Sequence, residues 1–394
     1  MRSRRHAVIL PALLVLSIFT ARAVAQDEQW LQYRSANEAS QIIGDMNRLR
    51  PTPSLARPEG VKLPDFASDQ PMFHRWQTPM VESGGLWMAF DRTTKHGPHD
   101  RFYIDSDGNG DLSDESPYKP YRRDSSRCYF GPVKVLFQGE DGPITYHLNI
   151  EFYAGRSWLY CYIRSAAWYE GPVVVDGRKK HCVLIDYNVN GAFNDKSTDF
   201  GQCDRIRIGK EDERDTRYVG NYIEVDDKLY GTEIAQDGAF VVLTKADDVP
   251  YGTVRLADNI TSFAAGGANG LFVRKPEDRT VKLPAGKYRI DYWSIVKKDD
   301  KGSRWELRGT HFSAEEGDFT VSQDKDAELE IGEPVYTQAT VRKSGSNYVF
   351  GQGLEGRHGE RIAMTRSGSR PRPPKLRIKN KDGTYDRAMS FEYG

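Results

Sequence analysis

The chain has 394 residues, with 56 Lys+Arg balancing 56 Asp+Glu. Hydrophobic residues make up 38% and charged residues 28%. That is too long for one ordinary domain, too polar for a polytopic membrane protein and too apolar for a wholly disordered one.

Arg2, Arg4 and Arg5 open the chain, Ala7 to Thr20 is mostly apolar, and Ala23-Val24-Ala25 is an A-x-A cleavage site. This order of charge, apolar stretch and small residues predicts a signal peptide over residues 1–25, and so an exported protein, periplasmic or extracellular. The stretch is short for a bilayer, and no later segment reaches about 18 apolar residues. No membrane span is expected after cleavage.

Over residues 26–71 a helix and a tether are expected. Ser35 and Glu38 form a capping box, and Ile42, Ile43, Met46 and Leu49 follow at helical spacing until Pro51. Residues 51–71, rich in proline, read as an extended segment lying over the body.

From residue 72 the apolar period shortens to two, which predicts strands at 85–91, 100–105, 132–138, 144–153, 157–165, 172–176, 181–186 and 204–208. Asp176-Gly177 and Asp237-Gly238 look like hairpin turns. A boundary near residues 250–265 divides a β domain, 72–255, from a second β region, 256–394. In the latter, strands are expected at 335–342, 347–354, 361–365, 374–379 and 387–393, with a turn at Asp382-Gly383. The stretch Leu283-Pro-Ala-Gly-Lys-Tyr288-Arg-Ile290 resembles the LPxGxY strands of secreted transthyretin-like and immunoglobulin-like modules. The expected class is mostly β, with two or three β-sandwich-like modules and one short N-terminal helix.

Cys128, Cys161, Cys182 and Cys203 lie within 76 residues, and an oxidising compartment favours pairing. Three connectivities are open. Cys182–Cys203 with Cys128–Cys161 is preferred, because the first bridge would staple the acidic loop between its ends; free buried thiols are the alternative.

Two loops carry an oxygen ladder. The first runs Asp105-Ser-Asp107-Gly-Asn109-Gly110-Asp111-Leu-Ser113-Asp114-Glu115 and the second Asp186-Tyr-Asn188-Val-Asn190-Gly191-Ala192-Phe-Asn194-Asp195, with Asp199 following. Both fit D-x-[DN]-x-[DN]-G, the start of an EF-hand calcium loop. A hard cation needs six to eight oxygens, and side chains at positions 1, 3 and 5 wrap one side of it. Gly at 6 permits the sharp turn, a carbonyl at 7 (Asp111, Ala192) follows, and position 9 (Ser113, Asn194) continues the shell. Other Asp-Gly turns in the chain, such as Asp176-Gly177, lack the upstream ladder.

The loops resemble those of EF-hands and dockerins, and the chain as a whole resembles secreted bacterial β-rich proteins of unknown function that carry such loops. The resemblance implies bound Ca²⁺. Position 12 departs from it, being Ser116 and Ser197, so Asp114, Glu115, Asp195 or Asp199 is left to close the shells. No helices are expected beside the loops, which makes the ion structural rather than a switch. With asparagine at two positions the second loop should bind in the range of extracellular modules, about 10⁻⁴–10⁻³ M.

His96-Gly-Pro-His99-Asp100 offers two imidazoles and a carboxylate, but Pro98 forbids regular helical geometry. No G-x-S-x-G nucleophile elbow occurs. Residues 341–394 hold twelve Lys+Arg against five Asp+Glu, a face that a polyanion would fit or that merely balances an acidic remainder. The expected function is an exported, calcium-binding, calcium-stabilised, non-enzymatic β protein with a binding or scaffold role. Its partner is expected to be a polysaccharide or another envelope protein, and nucleic acid is not expected. Two alternatives stay open: a carbohydrate-binding protein using strands such as Trp158–Tyr162 and Trp168-Tyr169, and a polysaccharide-active hydrolase with dispersed carboxylates.

Overall fold

The computed structural model describes residues 27–393 apart from 45, 125–126, 141 and 156–157, so the expected signal peptide lies outside the described residues. The chain is mostly β. Among the described residues the α-helical pieces are two short ones, Ala39–Ile43 and Ala314–Gly317.

The N-terminal helix is shorter than its apolar spacing suggests, and its cap is not Ser35. Ser35 ends strand Gln32–Ser35 and pairs with Ala167, so its backbone belongs to a sheet. Glu38 takes the N-cap position without a side-chain bond, and Gly44 at φ +86° stops the helix after five residues. Leu49 instead bridges Ile163 through two backbone bonds of 2.8 and 3.1 Å.

The period-two runs form strands as expected, and several extend further than their apolar residues alone indicate. Arg127–Gly139 and Gly142–Ala154 make a long hairpin, continued by Leu159–Ser165. Ala167–Val175, Arg178–Ile185 and Arg205–Gly209 form the centre of a five-stranded sheet. Met72–Gln77, Gly85–Asp91 and Arg101–Ile104 make a three-stranded antiparallel sheet. In the second half, Gly286–Lys298 is the long strand around which an eight-stranded sheet is built.

Buried apolar side chains gather in two large clusters, one drawn from Leu31 to Val241 and the other from Val254 to Ile362. Polar contacts join the two parts: the Tyr218 hydroxyl donates to Asp291 Oδ1 at 2.9 Å, and Arg274 pairs with Glu224. Alternation along Gly85–Asp91 also explains a small third layer. Leu86, Met88 and Phe90 face the first core, while Ala89 and Trp87 face outward. Val61, Leu63 and Phe66 of the proline-rich segment cover that outer face together with Leu112. The segment does lie over the body.

The preferred disulfides do not form; all four cysteines are free thiols and all are buried. The sheet register explains why. Cys128 and Cys161 both stand opposite Phe152, one on each side of its strand. They are two strand spacings apart, about 10 Å, beyond the reach of a disulfide. Cys182 stands opposite Ile208, five residues past Cys203, an offset of about 16 Å along the strand. Burial pushes the Cys128 and Cys203 thiols up to about 11 and Cys182 to about 12, and raises Cys161 as well. Such thiols are inert.

Candidate metal centre

Asp105 follows directly on strand Arg101–Ile104, and its N–H donates to the Trp87 carbonyl at 2.9 Å. The first candidate ligand is thereby fixed to a sheet. Its neighbour Ser106 accepts from Leu136 N–H at 2.9 Å, which ties the loop to the long hairpin as well. At position 8, Leu112 is fully buried in the outer layer with Phe73, Ala89 and Tyr103. Gly110, at φ +77°, makes the turn that a side chain would strain.

Within this frame three acids converge. One carboxylate oxygen from each of Asp105, Asp107 and Glu115 lies within 4.8 Å of the other two. Asp105 is 3% exposed. Its Oδ2 accepts from Gly110 N–H at 3.0 Å, while Oδ1 is shut away from solvent with no hydrogen-bond partner. A buried acceptor without a donor costs about 1–3 kcal/mol, more when charged, unless something compensates it. Burial, then the charge of Asp107, holds the Asp105 carboxyl above its ordinary range. Glu115 is raised too, first by burial and also by Asp107 and Asp114. A cation at this point would reverse both trends. The donor set is all oxygen, which suits calcium or magnesium and not a soft metal.

The other members of the loop are arranged around this trio. Asn109 donates through Nδ2 to Asp107 at 3.2 Å and to Asp114 at 3.1 Å, and its Oδ1 accepts from Asp111 N–H at 2.7 Å. The Asp111 carboxylate is turned to Lys62 at 2.7 Å and to Ser113, whose N–H donates at 2.8 Å. The Lys62 ammonium holds it down to about 2. Lys62 carried no signal in the sequence, because it is contributed by the irregular proline-rich segment 43 residues before the loop begins.

The second loop is built differently. Asp186 follows strand Arg178–Ile185 and is fully buried. Its Oδ1 accepts from Val189 N–H at 2.6 Å and Asn190 N–H at 3.2 Å. Its Oδ2 accepts from Gly191 N–H at 2.7 Å and the Tyr146 hydroxyl at 2.6 Å. Burial still pushes this carboxyl up to about 6. Asp195 Oδ2 accepts from Asn188 at 3.0 Å and Asn190 at 2.7 Å, and Asn190 Oδ1 accepts from Ala192 N–H at 2.9 Å. The Asn188 Oδ1 is buried and without a partner.

Four candidate side chains, Asp186, Asn188, Asn190 and Asp195, therefore share one network, with the Ala192 backbone at its edge. Asn194 turns away to the Ile234 carbonyl at 3.4 Å, and Asp199 caps the turn Phe200–Gln202 through Gly201 N–H at 3.0 Å. Asp204, which has no place in the loop pattern, completes the network. It accepts from Tyr187 N–H at 3.0 Å and Asp195 N–H at 2.9 Å, and burial beside Asp186 and Asp195 raises it well above the carboxylate range. Among the described residues, no three acids approach here as they do in the first loop.

Of the histidines, His99 is buried edge-on to Phe152 with Nε2 unpartnered, while His96 is exposed. No protein-family model matches the chain, and neither a curated protein nor a solved structure matches it.

Proposed function

We propose that this chain is an exported, calcium-stabilised, non-enzymatic β protein in which the Asp105–Glu115 loop holds a structural Ca²⁺. The observation that carries the reading is the Asp105 Oδ1, buried, without a donor and beside two further carboxylates. Asp105, Asp107 and Glu115 would supply charged oxygens, with Asn109 and backbone carbonyls adding neutral ones. Glu115, at position 11, takes the part for which position 12 offers only Ser116. Export is supported by Arg2, Arg4 and Arg5, the apolar stretch and Ala23-Val24-Ala25.

The ion would act on stability. It would join the end of a sheet strand to a loop that also meets the proline-rich segment and the long hairpin. The second loop offers a weaker site, because donors from the protein already satisfy Asp186.

The aromatic strands behind the carbohydrate-binding alternative divide. Trp168 and Tyr169 are buried and the Tyr162 ring is covered by the Arg48 guanidinium at 4.3 Å, whereas Trp158 is 74% exposed.

A thermal melt with calcium, magnesium or chelator tests the proposal. At tenfold saturation a ligand that binds only the folded chain stabilises it by about 1.4 kcal/mol, a rise of about 2 °C for a protein of this size. Calcium should give that rise, magnesium a smaller one, and Asp105→Asn should abolish it. An unchanged midpoint at millimolar calcium would sink the proposal.

A further inference from the structure

Residues 341–394 hold twelve Lys+Arg against five Asp+Glu, whereas residues 1–340 hold 44 against 51. All twelve cations are exposed. Three of them, Arg357, Arg366 and Arg377, have a carboxylate within 4.0 Å; the other nine have none among the described residues.

Most of this charge sits on or beside two hairpins that extend into solvent. Tyr336–Ser344 pairs with Asn347–Glu355 at one end of the eight-stranded sheet, and every residue of the outer strand is exposed. Lys375–Lys379 and Asp386–Ser390 form a separate two-stranded sheet with no buried residue. A two-stranded hairpin is at best marginal in water without something to pack on. Both carry exposed rings: Tyr336, Tyr348 and Tyr385 lie on or between their strands, and Tyr393 follows close behind. In the second hairpin Lys375, Arg377 and Lys379 share one face about 7 Å apart, opposite Ser390, Ala388 and Asp386. In the first, Lys343 stands directly opposite Tyr348.

We propose that these two hairpins bind an acidic polysaccharide, a chain of sugar rings bearing carboxylate or sulfate groups. A row of cations on one strand face suits anions repeated along a polymer, and tyrosine faces suit the apolar faces of the rings between them. Asp386 already pairs with Arg377, which leaves Lys375 and Lys379, on the same face and with no carboxylate partner among the described residues, for a polyanion to meet. The choice of polysaccharide over nucleic acid rests on the export reading; the surface itself does not depend on the calcium loop.

The test is retention of the full chain on immobilised chondroitin sulfate over a salt series starting at about 50 mM, with neutral dextran and duplex DNA as comparators. Chondroitin sulfate should retain the chain, dextran should not, DNA should bind more weakly, and affinity should fall log-linearly with salt. Combining Lys375→Ala, Arg377→Ala and Lys379→Ala should lower affinity by about tenfold and flatten the salt slope. Tyr348→Ala should weaken binding with the slope unchanged. These sites are exposed, so both variants should keep the native melting midpoint. Asp105→Asn should be retained as the native chain is, which separates failure of the hairpins from failure of the loop. No retention at low salt, tighter binding to DNA, self-association through the hairpins without retention, or a triple variant retained like the native chain would each overturn the proposal.

Discussion

The Lys62 ammonium lies 2.7 Å from Oδ2 of Asp111, and the backbone of the same lysine donates to Gly110 O at 3.1 Å and accepts from Leu112 N–H at 2.9 Å. A residue of the proline-rich segment thus runs alongside the first oxygen-rich loop, and its charge stands against that of the acids.

On the proposed calcium site, Lys62 would act as a brake on cation affinity. Lys62→Gln keeps both backbone bonds and removes a positive charge near Asp111 and Asp114. Calcium affinity should rise by about two- to threefold at low ionic strength, and the gain should shrink with added salt. Titration calorimetry at two salt concentrations measures both. A fall in affinity would mean that the ion pair orders the loop more than it opposes the ion.

His99 should set part of the acid limit of stability. Burial, then the neighbouring Arg92 charge, lowers its imidazole to about 4, against about 6.5 in an unfolded chain. Between these values the unfolded state takes up a proton that the folded state refuses. The contribution is therefore complete above pH 6.5 and lost as pH falls toward 4. His99→Phe keeps a ring against Phe152 and removes the titration. It should lose about 2 kcal/mol less than the native chain between pH 7.5 and 4.5, read from denaturant unfolding in chelator. Parallel pH profiles would refute it.

The strands and their turns were legible because period two and Asp-Gly pairs report local geometry directly, as at Gly85–Asp91 and at the Val175/Arg178 turn. The loop pattern likewise marked Asp105, Asp107 and Glu115, whose carboxylates converge, because they lie within one loop of eleven residues. What failed needed non-local information. Cys128 and Cys161 look bridgeable until both are seen to flank Phe152. Ser35 has capping-box spacing until Ala167 claims its backbone. Asp204 and Lys62 reach their loops from other segments, where no local spacing marks them.

The cysteines give a direct check of that register. All four thiols are buried and raised by burial. A thiol reagent at pH 8 should label none of them in the folded protein and all four in denaturant, and a reductant should leave the melting midpoint where it was. A midpoint that drops on reduction, or fewer than four thiols after unfolding, would restore a disulfide.

The Tyr146 hydroxyl donates to Asp186 Oδ2 at 2.6 Å with both side chains fully enclosed. Tyr146→Phe keeps the ring stacked on Trp76, 5.8 Å away at 11°, and removes one donor from a buried carboxylate. The cost should be about 1–3 kcal/mol where that carboxylate is charged. Asp186 is raised to about 6, so its favourable contribution is complete below the unfolded carboxylate range and is lost as pH rises through 6. Removing a hydrogen bond to the charged form raises it further. The gap between native chain and variant should accordingly be wider at pH 7 than at pH 5, measured by urea unfolding without divalent cations. A gap that is equal at the two pH values, or wider at pH 5, would show that the hydroxyl serves packing rather than the carboxylate charge.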